Sequence, residues 1–416
     1  MSVDAVPTGR ITTAPALPPW MLLWLLGAAF STPAAVQGWR QYFLDLTGGG
    51  AYGADVVATP SFGLLHLLAL VQLVPSVVIA VGLCAVAFPQ LRAMVVERRL
   101  RLTEQRRPVT AEIEDFLREH DANVEVRCNL ARQDRLARIY PVGWRRARLA
   151  IFGPFVALWR RDRPAAQAVL LHEVAHLRTG DHLFLGLGSP FVALVNLWFP
   201  LLAVFGVLPV VAFALVKYPT AGELPAQLLL LLTLLPRTLL LPVAALWTAE
   251  LSADRYVVDS GQGAGLLSAL GAQDSGGNRY LRSLAHLSHP PRALRRWAIR
   301  GGSRQDVVLL ASWPLLVLIL LLVILMSAVP AWFLLGYSGP EVIEAGVRNS
   351  GAFLSDSARI WGPAALLLLI WPVAARPWTR WWAGRAASRP SMPGPVHASA
   401  ALLVAMVLST LLLLTS

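Results

Sequence analysis

The stretch 169–182, with the sequence VLLHEVAHLRTGDH, contains the pattern H-E-x-x-H at His172, Glu173 and His176. Residues four apart lie on the same face of a helix, so both imidazole rings can reach one metal ion. Glu173 directly follows the first histidine, where its carboxylate can act on a water molecule at that metal. Because five residues can also match by chance in a polar helix, a catalytic zinc site requires a third ligand elsewhere in the chain.

The amino-acid composition predicts a membrane protein. Of the 416 residues, 56% are hydrophobic and 14% are charged, whereas soluble domains carry about 25% charged residues. Long apolar runs account for the excess, and they reach the roughly 20 residues that a helix needs to cross a bilayer. The net charge of +12 comes almost entirely from arginines that lie between these runs. This placement explains the charge without a nucleic-acid partner.

Seven apolar runs predict about seven transmembrane helices, at 18–37, 61–88, 183–216, 226–247, 307–336, 358–375 and 397–415. The first is either a retained anchor or a cleaved signal peptide, because small residues follow it. The third would be about 50 Å long as one helix, so it either projects beyond the bilayer or breaks at its prolines. Arg237, within the fourth, is expected to face a protein interior or a water-filled cavity, or to reach an interface if the span is shifted.

The runs divide the chain into a disordered N-terminus (1–17), two spans (18–88), an insert containing the metal helix (89–182), a hairpin of two spans (183–247), a second polar segment (248–306) and three C-terminal spans (307–416). Arginine is concentrated in alternate loops, with 17 in 89–163, eight in 248–306 and four in 376–396. Cytoplasmic loops carry such an excess, so these loops are expected on the cytoplasmic side of the cell membrane.

The polar insert is expected to be a small α+β unit within a protein that is otherwise mainly α. A capped amphipathic helix is predicted over 110–120. Strands are predicted over 124–127, 136–140 and 146–152, the last two separated by a Pro-Val-Gly turn. The metal helix is predicted over 164–181, with Pro164 at its start and Gly180 near its end.

A third ligand is available in the sequence TAELSAD at 248–254. Glu250 can complete a His₂Glu zinc set, which leaves one position open for water. Asp254, four residues later, faces the same way on a helix and can accept the free ring N–H of a ligating histidine. Two apolar runs separate His176 from Glu250. Since two spans return the chain to its starting side, both motifs are expected at one membrane face.

Three motifs in order, namely VLLHEVAHLRTGD, TAELSAD and Ser288-His289-Pro290-Pro291 with Arg295, resemble the membrane zinc peptidases that include HtpX and the CAAX prenyl endopeptidases. The resemblance covers roughly 90–300. It implies that His172, His176 and Glu250 bind one zinc ion.

The same resemblance implies roles for the residues around the metal. Glu173 would be the general base, and Asp254 would orient a ligand. His289 and Arg295 would contact the substrate carbonyl or the Glu ligand, although a turn histidine and a basic cytoplasmic rim explain them equally well. Family members often carry an Asn-Ala-aromatic segment before the metal helix. This chain has ARIY at 137–140 without the Asn, which leaves its substrate preference open.

The function implied by the resemblance is a membrane-bound zinc metalloendopeptidase. Its substrates would be membrane proteins or misfolded proteins, cleaved at the cytoplasmic face and bound as an added strand along the sheet edge. Two alternatives remain. One is a signalling metallopeptidase of the β-lactam-sensor type, whose distal Glu lies closer to the first motif. The other is an inactive scaffold that keeps the fold. The sequence does not specify the oligomeric state.

Overall fold

A computed structural model describes residues 80–202, 241–272 and 288–301, together with Leu44, Val204 and Leu208, with the exception of Arg106, Asp121, Asn123, Trp144 and Arg145. Its elements, in chain order, are α1 (Ala80–Ala87), α2 (Pro89–Leu100), α3 (Pro108–Glu119), β1 (Glu125–Asn129), β2 (Ala137–Pro141), β3 (Ala147–Phe152), α4 (Gly153–Arg161), α5 (Arg163–Thr179), α6 (His182–Leu185), α7 (Pro190–Leu202), α8 (Leu241–Asp259), α9 (Gly263–Ala272) and α10 (Arg292–Gly301). This part of the chain is mostly helical with one small sheet.

The small sheet predicted within the polar insert is present. Its three strands lie within two residues of their predicted positions. The strand order is β1-β3-β2, with β3 parallel to β1 and antiparallel to β2. Both β1 and β2 are therefore edges of this sheet, and β2 packs against the metal helix α5.

The metal helix α5 begins and ends where its capping residues predict. The side chain of Asp162 accepts a hydrogen bond from the backbone N–H of Ala165 at 3.1 Å, and Pro164 occupies the first turn. Gly180 has a φ of 76°, the left-handed conformation that commonly ends a helix. Since a side chain would be strained at this φ, glycine is favoured at the position where the helix ends and the chain turns.

Helix α5 lies at the centre of the described fold. It packs against β2, α4, α8 and α9, and its residues Leu170, Leu171 and Val174 belong to the main hydrophobic core. The crossing with α9 is close, because a Cβ on Gly265 would lie 2.5 Å from the carbonyl oxygen of Pro164. Surrounded in this way, α5 holds its polar residues in a buried setting, where each needs a partner.

Helices α1 and α2 meet at a sharp bend beside Phe88. Their axes differ by 98°, and together, by length and composition only, they pass as a broken span or re-entrant loop. Among the described residues, no single helix is long and apolar enough to cross a membrane.

Most of the predicted spans fall outside the described residues. This is the case for the runs at 18–37, 307–336, 358–375 and 397–415, and also for Arg237. The described start of the third run is broken: α6 ends at Leu185 and α7 begins at Pro190. At the end of the fourth run, α8 continues as one helix from Leu241 to Asp259, so it carries the apolar run directly into the TAELSAD motif.

Candidate metal centre

Helix α5 places His172 and His176 one turn apart on its buried face. Only 6% of His172 and 4% of His176 is exposed. Their Nε2 atoms lie 3.2 Å from each other, with the two rings nearly perpendicular. The i, i+4 spacing predicted from the sequence therefore brings both imidazoles to one point.

Helix α8 brings Glu250 to the same point. Its Oε2 lies 3.4 Å from Nε2 of His172, and its Oε1 lies 3.9 Å from Nε2 of His176. Ligands bonded to zinc at about 2.0–2.1 Å in tetrahedral geometry are about 3.3–3.4 Å apart. The observed separations are close to these values, so His172, His176 and Glu250 can hold a metal ion.

Each histidine has its own carboxylate behind it. Nδ1 of His176 donates to Oδ1 of Asp181 at 2.9 Å. Nδ1 of His172 lies 3.0 Å from Oδ1 of Asp254. A carboxylate only accepts, so each Nδ1 carries a proton, and each ring would present its Nε2 lone pair to a metal ion once Nε2 is deprotonated.

The charges around the centre raise the pKa of His172 and lower that of Glu250. Burial alone would lower the pKa of His172, but Asp254 and Glu250 outweigh it and raise this pKa to about 9. Burial would likewise raise the pKa of Glu250, yet His289, Arg138 and the hydrogen bond with His172 hold it well below its ordinary value. An ionised carboxylate and two imidazoles at one buried point are a donor set suited to a divalent cation.

Arg295, on α10, binds the carboxylates of Asp254 and Glu250. Its Nε and Nη2 donate to the two oxygens of Asp254 at 2.7 and 2.5 Å, and its Nη1 lies 3.5 Å from Oε2 of Glu250. Burial would raise the pKa of Asp254, but the charge of Arg295 and the bonds with His172 and Arg295 keep it lowered. Of the two contacts implied for Arg295, the one to the Glu ligand is present.

His289 lies on the opposite oxygen of the Glu ligand. Its Nδ1 is 3.0 Å from Oε1 of Glu250, and its side chain is 37% exposed. Arg138 donates to Nε2 of His289 at 2.6 Å, so that nitrogen accepts and Nδ1 carries the proton. Burial is the main cause that lowers the pKa of His289, in keeping with a neutral ring.

Glu173 is buried between the metal helix and the sheet edge. Its Oε2 accepts a hydrogen bond from the backbone N–H of Ile139, on β2, at 2.8 Å. The carbonyl oxygen of Ile139 accepts from the N–H of Leu187 at 3.0 Å. Both polar groups of Ile139 are thus engaged within the chain. An added strand must pair with β2 elsewhere, or displace Leu187.

Two residues near the centre were not predicted from the sequence. Asp181 directly follows Gly180. The glycine predicts that the helix ends there and that the chain turns, and this turn could have identified Asp181 as a neighbour of His176. Arg138 lies in the ARIY segment, where the missing Asn is the feature that departs from the resembled family and the sequence predicts no role for the arginine. Its Nη1 reaches Oε1 of Glu250 at 3.4 Å, a contact between positions 112 residues apart that no local pattern specifies.

No family model, no curated protein and no solved structure matches this chain. The resemblance to membrane zinc peptidases therefore rests on the three motifs. The functional interpretation rests on them and on the geometry of the centre.

Proposed function

We propose that this chain is a membrane-bound zinc metalloendopeptidase that cleaves membrane proteins or misfolded proteins at the cytoplasmic face of the cell membrane. The observation that carries the proposal is the convergence of His172, His176 and Glu250, with Glu173 next to them on α5. Structural zinc sites are usually closed by four protein ligands, whereas catalytic ones keep a position open. The cluster found among the described residues has three members, which favours a catalytic site.

Zinc bound by two histidines and a glutamate would polarise a peptide carbonyl and lower the pKa of a water molecule. Glu173 would act as the general base that takes a proton from such a water and returns it to the leaving amine. Its bond from Ile139 N–H holds one carboxylate oxygen in a fixed direction. A base held in this way loses little free energy to reorientation during the reaction.

Arg138 and His289 form the open rim of the site. The side chain of Arg138 is 26% exposed and that of His289 is 37% exposed, whereas that of Glu250 is only 7% exposed. Arg138 is therefore placed to donate a hydrogen bond to an oxygen that would gain negative charge when a carbonyl is attacked. His289 could donate to the same oxygen once its N–H turns away from Glu250. Arg295 is more deeply buried, with 11% of its side chain exposed, and acts on the centre through Asp254 and Glu250.

The cytoplasmic and membrane parts of the proposal come from the arginine-rich loops and the apolar runs. Helix α8 carries one such run into the motif that contains Glu250. A cleft at this position would receive chain segments that emerge from the bilayer.

The first test is metal content and proteolysis of the purified full-length chain. We expect about one zinc per chain and cleavage of casein that a chelator abolishes. Glu173→Gln is expected to keep its zinc and lose cleavage by at least about 100-fold, since general-base catalysis contributes about 10²–10⁴-fold. Glu119→Gln, an exposed position on α3, is the matched control. Cleavage that persists in Glu173→Gln would contradict the mechanism, and metal-free protein unaffected by His172→Ala would favour a scaffold.

A further inference from the structure

Helix α2 exposes an apolar stripe. Leu91, Met94 and Val95 are 58%, 42% and 53% exposed, and Phe88, at the N-cap, is 60% exposed. At 100° per residue these four side chains fall within about a third of the helix circumference. Large apolar side chains concentrated on one exposed helix face indicate an interaction surface rather than ordinary surface variation.

The opposite face of α2 is fixed to the part of the molecule that holds the metal centre. Arg92 is buried and donates from Nε, Nη1 and Nη2 to the carbonyl oxygens of Leu187, Leu183 and Gly186 at 3.2, 2.5 and 2.5 Å. Further along the helix, Glu97 accepts from the hydroxyl of Tyr140, on β2, at 2.8 Å. The helix cannot roll to hide its stripe without breaking these bonds.

The orientation of α2 follows from its neighbours. Helix α1 packs against the start of α7, where a Cβ on Gly82 would lie 2.5 Å from the ring of Phe191. Helices α1 and α7 belong to the apolar runs 61–88 and 183–216, which are predicted to cross the bilayer. Because α2 departs from α1 at 98°, it lies close to the membrane plane if α1 stands along the membrane normal.

The C-terminal end of α2 is basic. Arg98 and Arg99 occupy its last turn and Arg101 follows it, and all three are exposed. Arg98 lies one turn beyond Met94 and two turns beyond Leu91 on the same stripe, so its guanidinium can extend from the apolar face to the lipid phosphates. An apolar face bordered by arginine is the pattern of a helix that lies in the interface of an anionic bilayer.

We propose that α2 lies in the cytoplasmic interface of the membrane, with Phe88, Leu91, Met94 and Val95 among the acyl chains and the following arginines at the headgroups. The occupant of the stripe is the phospholipid bilayer. Through Arg92 and Glu97, the helix then holds β2 and the residues after α6 at a fixed height above the lipid. The inference rests on the membrane location in the proposed function, but not on its peptide chemistry.

The test is a spin label at Met94→Cys or Val95→Cys, in a chain whose Cys84 and Cys128 are changed to alanine, reconstituted in nanodiscs of phosphatidylcholine and phosphatidylglycerol. Collision rates with oxygen, which concentrates in lipid, and with a water-soluble nickel chelate are measured by electron paramagnetic resonance. At both positions we expect the collision rate with oxygen to exceed the collision rate with the nickel chelate several-fold. Glu112→Cys, exposed on α3, is the control for water.

A nickel collision rate as high as at Glu112→Cys would overturn the proposal by placing the stripe in water. Immobilised labels reached by neither reagent would overturn it as well, because another part of the protein would then cover the stripe. Casein cleavage by the same labelled samples is measured in parallel. Cleavage together with a water-exposed stripe refutes only the docking of α2, whereas lipid exposure without any cleavage refutes only the peptidase.

Discussion

Two arginines bind segments next to the metal helix, and their partners differ in charge. Arg295 is paired with the carboxylates of Asp254 and Glu250, and these charges raise its pKa. Arg92 donates to three backbone carbonyl oxygens, and burial lowers its pKa to about 9. We expect the groups that an arginine leaves behind when it is removed, rather than its own burial, to decide the free-energy cost of losing it.

The largest effect is expected from Arg295→Met. This change keeps the length of the side chain but leaves the buried Asp254 without its cation and removes one of the cations beside Glu250. Breaking a buried pair in this way costs about 3–5 kcal/mol. Thermal unfolding in detergent, followed by circular dichroism, measures the loss. Arg300→Met, at an exposed position on the same helix, is the control and should change little. Equal melting temperatures for the two variants would show that Arg295 does not stabilise the centre.

Arg92→Met should cost less. It removes the guanidinium from three carbonyl oxygens, of which that of Gly186 still accepts from the N–H of Ser189, and about 1–3 kcal/mol is expected for this loss. It also removes a buried cation that has no carboxylate among the hydrogen-bond partners found here. The same unfolding measurement orders the two variants. If Arg92→Met proved the more damaging, the network of carbonyl bonds would have to matter more than the paired charges.

Asp181→Ala should weaken zinc binding with little loss of stability. Asp181 orients His176 through its Nδ1, and removal of such a partner typically lowers metal affinity about 10–100-fold. Competition with a chromophoric chelator measures the dissociation constant. The same assay is applied to Arg92→Met, because Arg92 binds residues 183–187, which follow Asp181. If these bonds help to position Asp181, the zinc affinity of Arg92→Met should fall, by less than about 10-fold. Unchanged affinity in Asp181→Ala would show that Asp181 does not orient the ligand. Asp134→Ala, at an exposed ion pair far along the chain, is the control.

The sequence was sufficient for the parts of the site that local geometry determines. The i, i+4 spacing of His172 and His176 fixes their separation within one helix, and Pro164 and Gly180 mark its ends. Glu250 needed one further argument, the return of the chain after two spans. The observed cluster agrees with that ligand set.

The arginines could not be predicted in the same way. Residues 89–163 hold 17 of them, and sequence alone does not separate the buried Arg92 from the exposed Arg98 on the same helix. Only the packing of α2 against α6 and the residues that follow it makes that distinction. Likewise, Arg138 reaches Glu250 because β2 packs against α5 and α5 packs against α8, a chain of contacts that no short motif encodes.

The smallest effect, and the sharpest test of the difference between the two arginines, is the pH dependence of their loss. The folded protein lowers the pKa of Asp254, with the charge of Arg295 as the main lowering cause. A carboxylate whose folded pKa lies below the unfolded value of about 3.9 stabilises the fold above that value, and this stabilisation is lost as the pH falls through the folded pKa. The penalty of Arg295→Met should therefore be constant between about pH 5 and 7 and shrink below about pH 4.

The penalty of Arg92→Met should decline less, because its hydrogen-bond partners are carbonyl oxygens that do not titrate. Its charge also acts on His182, whose pKa is lowered to about 4 mainly by burial and only in smaller part by Arg92. Denaturant unfolding in the presence of chelator gives both penalties without the pH dependence of zinc binding. A penalty for Arg295→Met that stays constant down to about pH 3 would show that this arginine contributes by packing, as a long side chain, and not by its charge. The contrast between the charge-paired and the carbonyl-paired arginine would then fail.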